Sequence, residues 1–129
     1  MKITNYAITF YVLALFSCSS SKKLKEHRAL LKEYAFCSCF EHATNDANYF
    51  SEKDINLSVY ADISGYNRSV FRPIDGVARQ FADNIKPSEI PDHENKKSIM
   101  LHCFMFYHSK LLDSLIKSMD KDFNYTKGW

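Results

Sequence analysis

The sequence predicts an all-α fold: a small bundle of four to five helices with a central apolar C-terminal helix, preceded by a signal peptide. Three observations lead there. Apolar residues recur at three-four spacing, most regularly as Ile74, Val77, Ala78, Phe81, Ala82 and Ile85. Three glycines and three prolines in 129 residues leave too few turn residues for many short strands. The stretch Ile99–Tyr107, IMLHCFMFY, holds eight apolar residues and one His, then continues at helical spacing through Leu111, Leu112, Leu115 and Ile116. A helix that is apolar all round is either buried or membrane-spanning, and this one falls short of the ~20 residues a bilayer requires. It is therefore predicted to sit at the centre of the domain, with the other elements packed around it.

The chain divides into a leader (1–20), a helical domain (21–118) and a tail (119–129). Met1 to Ser20 reads as a secretory signal, with Lys2, an apolar run from Tyr6 to Phe16, and then small residues. Leu15-Phe16-Ser17-Cys18 approximates the bacterial lipoprotein cleavage pattern, which makes Cys18 the lipidation candidate and predicts a membrane-anchored periplasmic protein. A cut after Ser20 by ordinary signal peptidase is the competing reading, and an uncleaved anchor is a third. What remains suffices for one core and not for two domains. A net charge of +2 on a chain that is 25% charged provides no large basic face, which argues against nucleic acid as a partner.

Helix one is expected from about Lys22 to Ala43, with Leu31, Ala35, Phe36, Cys39, Phe40 and Ala43 on one face and a solvated basic start, KKLKEHR. Asn45 to Phe50 is a polar connection. Helix two is expected from Ser51, with Asp54 completing an imperfect capping box, a stripe of Ile55, Val59, Tyr60 and Ile63, and Gly65 as its stop. After a linker, Tyr66 to Phe71, Pro73 suits the first turn of helix three, and Asp75 is placed favourably against the helix dipole. The last helix is expected to run unbroken from about Lys96 to Ser118, followed by a polar tail containing Phe123, Tyr125 and Trp129.

Between the last two helices lies Lys86-Pro87-Ser88-Glu89-Ile90-Pro91-Asp92-His93-Glu94-Asn95. The two prolines forbid helix and stiffen the backbone. Three carboxylates against one Lys make the segment acidic on a basic chain, and it is longer than a helix connection requires. An ordinary surface loop explains the pattern as well as a protruding recognition element does.

In an exported protein, disulfides are the default use of cysteine. Residues two apart on a helix diverge, because each step turns about 100°, so Cys37 and Cys39 cannot share a partner. Cys39 lies on the stripe of Leu31, Ala35 and Ala43 and is the one predicted to meet Cys103. The spacing of Cys37, Cys39 and His102 fits no common zinc template, so neither a metal nor a cofactor is expected. His102 and His108 are badly placed to activate Cys103, and an apolar setting disfavours a thiolate. With no Ser-His-Asp arrangement, phosphate loop or HExxH present, no catalytic residue is assigned.

Tyr34-Ala-Phe-Cys-Ser-Cys39, Pro73-Ile-Asp75 and, above all, His102-Cys-Phe-Met-Phe-Tyr-His-Ser109 resemble the amidase immunity proteins of type VI secretion systems, specifically those directed against the fourth described class of peptidoglycan amidase effectors. Tyr34, Ala35 and Cys39 match a motif of that family's first helix, and Cys103, Tyr107, His108 and Ser109 match one in its last. The resemblance implies a Cys39–Cys103 disulfide, in agreement with the phase argument, and a homodimer. It also implies inhibition by a loop that enters the groove of a papain-like cysteine amidase. Here that loop is Lys86 to Asn95, with Lys86, Ser88, Glu89, Ile90, Asp92, His93 and Glu94 as the effector-binding residues. Tyr34 stands where the family often has Trp, and Cys37 and the lipoprotein-like leader are additions. The rival reading is a helical envelope lipoprotein with a structural or assembly role.

Overall fold

A computed structural model describes the backbone of residues 3–126, and side chains from Ser20 onward except those of Ala47 and Ser51. The expectations for Cys18 and Trp129, and those resting on side chains of the leader, lie outside the described residues. Six α-helices are described: α1 (Ile3–Thr44), α2 (Ala47–Glu52), α3 (Asn56–Ile63), α4 (Phe71–Asp83), α5 (Ile99–Tyr107) and α6 (Lys110–Ser118), with 3₁₀ turns at Arg68–Val70 and Asp120–Asp122. The fold is all-α, as predicted.

The central helix is α1, not the apolar C-terminal one; it packs against α3, α4, α5 and α6. Its predicted stripe is its buried face, on which Leu31, Ala35 and Cys39 are fully buried and Phe36, Phe40 and Ala43 partly so. Ala35 on α1 and Ala78 and Ala82 on α4 are all buried, and such small side chains let two packed helices approach closely. The α4 pattern is realised: Ile74, Ala78, Ala82 and Ile85 are buried, and Val77 and Phe81 pack at the core's edge.

The pairings set direction. Tyr34 meets Phe71 and Ser38 meets Asp75, so α4 runs parallel to α1. Lys32 meets Tyr107, Phe36 meets Phe104, and Cys39 is joined to Cys103, so α5 runs antiparallel to it. The α4–α5 connection therefore emerges beyond the C-terminal end of α1. At the other end, Lys23 donates to the Tyr125 carbonyl and Arg28 makes a two-pronged pair with Asp120. These two ends lie roughly 30 Å apart along α1 at 1.5 Å per residue.

Further expectations are corrected. The predicted helix from Lys96 to Ser118 is two helices. Ser109 takes an extended backbone and its hydroxyl accepts from the Leu112 N–H, so the chain caps α6 where a continuous helix was expected. The apolar stretch is not enclosed: Cys103 and Phe106 are buried, but Met100, Leu101, Phe104 and Met105 are about half exposed or more. Hydrophobicity on every side does not bury a helix when, among the described residues, no element covers its outer face. The expected polar connection from Asn45 to Phe50 holds most of a short helix, α2, which Asp46 caps, and the helix expected from Ser51 begins only at Asn56, from whose N–H Asp54 accepts. Ile55 and Val59, expected in the core, are exposed.

Finally, His27 is not part of a solvated start but is buried against Phe123. Phe123 and Met119 belong to the core, so the segment after Ser118 closes the bundle. It is held by a bridge between Tyr66 and Phe123 and by backbone bonds from Asn67 to Asp122 and from Asn124 to Gly65. Gly65 lies at φ 59°, a left-handed conformation that suits Gly at a helix stop.

The Cys39–Cys103 disulfide spans 64 residues of sequence, so the chain-entropy model assigns it roughly 4 kcal/mol. Urea denaturation of the Cys39→Ala, Cys103→Ala double variant is expected to show a loss of that order. Phe106→Ala, with the disulfide intact, is expected to lose about 3–5 kcal/mol through the cavity it leaves.

Candidate functional site

The connection from α4 to α5 is built by local rules. Asn84 and Ile85 close α4 with N–H groups donating back to Phe81 and Ala82, and Pro87 then prevents another turn. The Ser88 N–H donates to the Lys96 carbonyl at 2.8 Å and pins the base of the loop. Two tight turns stand on that base. In the first, the His93 N–H donates to the Ile90 carbonyl around Pro91 and Asp92. Asp92 lies at φ 68°; Pro followed by a left-handed residue is the pattern of a type II turn. In the second, the Lys96 N–H donates to the His93 carbonyl, with Asn95 at φ 66°. The Ser88 hydroxyl also accepts from the Ile90 N–H at 3.1 Å.

The residues singled out from the sequence are thus brought together. Lys86, Glu89, Ile90, Asp92, His93 and Glu94 are exposed, and Ser88 is half-buried as a brace. Ile90 is 63% exposed, an apolar side chain held out by its own turn. Glu89, Asp92 and Glu94 are its acidic neighbours along the loop, and Lys96 and Lys97 follow at the base. Single apolar residues on a surface are common; this one is distinguished by a backbone that the prolines and four hydrogen bonds hold in place.

The thiols and polar clusters elsewhere serve different ends. Cys103 is consumed in the disulfide, and Cys37 is the free thiol among the described residues. Burial, with Asp54 and Glu33 nearby, pushes the Cys37 thiol up to about 11, which keeps it protonated and unreactive at neutral pH. Asp75 does more than complement a helix dipole. One of its oxygens accepts from the Ser38 hydroxyl at 2.7 Å and pairs with His42 Nε2 at 2.9 Å, and Arg79 approaches the other. Ser, His and Asp therefore meet, but the carboxylate lies in the middle and the fully buried Ser38 donates to it, not to the imidazole. Nothing there is poised to take the hydroxyl proton in the way a nucleophilic serine requires. The cluster clamps α1 to α4. Sequence reasoning missed it, although Ser38 and His42 stand four apart on the helix, a spacing that puts them on one face. Among the described residues no group of three or more His, Cys, Asp and Glu side chains is arranged to hold a metal.

A family model described as type VI secretion system (T6SS), amidase immunity protein (Tai4) matches residues 29–116. The chain belongs to the type VI amidase immunity family. No curated protein and no solved structure matches it.

The matched span contains both cysteine motifs and the whole loop, and the motif residues of this immunity protein have scaffold roles. Ala35 is fully buried, Tyr34 stacks edge-on against Phe71, and Cys39 holds Cys103. Tyr107 lies beneath the Lys32 ammonium at 4.7 Å, and Lys32 also pairs with Asp113. His108 and Ser109 form the break between α5 and α6, His108 exposed with its ring against Tyr107.

The clamp has a pH signature. Burial raises the Asp75 pKa, but hydrogen bonds from Ser38 and His42 and the charge of Arg79 outweigh it and hold the group below the usual carboxylate range. A depressed folded pKa contributes stability above the unfolded value, lost as pH falls through the folded one. Acid titration followed by circular dichroism is expected to show wild-type stability falling below about pH 4, and Asp75→Asn to flatten that part of the curve.

Proposed function

We propose that this chain is a periplasmic immunity protein that binds and occludes the active-site groove of a type VI secreted peptidoglycan amidase, protecting the cell that produces it. The observation that carries the reading is the loop Lys86–Asn95, an exposed, doubly turned and hydrogen-bonded projection on a disulfide-closed bundle. A preformed loop loses little conformational entropy on binding, and that entropy is a major cost of loop-mediated recognition. Ile90 is the apolar anchor. Glu89, Asp92 and Glu94 match a basic groove and accelerate encounter through charge steering. The partner in this reading is a papain-like cysteine amidase whose Cys and His the tip covers; no cofactor takes part.

The rest of the molecule fits that task. The basic stretch at Lys22–Arg28 lies midway along α1, roughly 30 Å from the helix end where the loop emerges, so a tether through an acylated Cys18 holds the bundle at the membrane with its tip directed away. No helix among the described residues is long and apolar enough to cross a membrane. The homodimer implied by the family has a candidate surface in the uncovered Met100 and Phe104.

Co-expression tests the reading. A type VI amidase directed to the periplasm is expected to lyse cells lacking this protein and to spare cells that carry it. The variant with Ile90, Asp92 and His93 all changed to Ala is expected to lose protection and to bind more than about 30-fold more weakly, a hot-spot loss, while keeping a wild-type helical spectrum. Protection by this variant at wild-type level means that the contact lies elsewhere.

A further inference from the structure

The geometry points to a second contact beside the loop: a socket between α4 and the α5–α6 corner that takes an apolar side chain of the amidase. This rests on the reading that the loop binds that enzyme. An open groove of about 360 Å³ is lined there by the apolar Val77, Phe81, Ile85 and Leu111 together with the uncharged polar Gln80 and Asn84 and with His102. Its floor is rigid, because Ile85 is buried and the Phe81 ring stacks on the fully buried Phe106 at 4.9 Å. Leu111 is 59% exposed on its wall. No Asp, Glu, Lys or Arg lines the groove, so it favours an uncharged apolar or aromatic group over a charged one.

Two facts select the amidase as occupant. The first is continuity. Ile85, a groove residue, immediately precedes Lys86, the first residue of the loop, so a protein gripping the loop lies across the groove. The second is size. A stable interface takes about 20–30 residues from each side, and a ten-residue loop cannot supply them. The adjoining apolar surface is this groove, extended by Leu101 and Met105, both more than half exposed. The socket also has a polar handle. His102 Nδ1 donates to the Ser98 carbonyl at 2.8 Å, which leaves Nε2 of the neutral ring as an acceptor for an indole N–H, a phenol or a backbone amide.

The test uses the full domain and an amidase against which the wild type protects. Leu111→Ala hollows the wall and Gln80→Trp fills the groove; both positions are exposed, and their helical spectra and Tm are expected to stay at wild type. Each is expected to raise the Kd at least tenfold, mainly through faster dissociation. The inference is overturned if both bind with wild-type Kd while the Ile90, Asp92, His93 triple variant does not bind, an outcome that leaves the loop reading intact. It is also overturned if sedimentation shows both variants to be monomers where the wild type is a dimer, with affinity for the amidase unchanged, because a second copy then fills the groove.

Discussion

The structure depends on one packed seam, where α1 meets α4 through small side chains and is bolted to α5 by the Cys39–Cys103 disulfide. The seam fixes α4 parallel and α5 antiparallel to the long helix, so the chain must turn around beyond the C-terminal end of α1. The loop is that turn. Its protrusion follows from helix directions, and its shape from Pro91, Asp92 and Asn95 in tight turns. Burial and covalent closure hold the base, while local hydrogen bonds hold the tip. A recognition element supported in this way begins with little entropy to lose.

The parts legible in the sequence were those governed by short-range periodicity. The α4 stripe and the buried face of α1 could be read because burial on one side of a helix repeats every three to four residues. Helical phase also chose Cys39 over Cys37 for Cys103, and the structure joins that pair. The features that escaped depend on what other segments leave undone. Met100, Leu101, Phe104 and Met105 look like core in any window, and their exposure shows only once no other described element is found to cover them. The break after Tyr107 rests on a single serine whose capping role is invisible until its backbone is extended. The Asp75 clamp and the burial of Phe123 both join residues distant in sequence.

The family motifs and the proposed contact occupy different places. Ala35, Cys39, Cys103, Tyr107 and Ser109 maintain the bundle through packing, a crosslink, a cation–π contact and a helix cap. Those demands are the same whatever the bundle opposes, so the motifs identify the family. In the proposed reading the loop answers to its target alone, and its residues carry no pattern beyond stiffness and acidity. Membership in the type VI amidase immunity family is therefore legible from the scaffold, whereas the particular enzyme opposed is not.

The central claim is that the tip covers the nucleophile of an amidase, and it is tested most directly by alkylating that enzyme's active-site cysteine with iodoacetamide, alone and in complex with this protein. Labelling, read by mass spectrometry, is expected to be strongly suppressed in the complex and restored when the loop triple variant replaces the wild type. Undiminished labelling within an intact complex would contradict the account, because the protein would then be bound without covering the site.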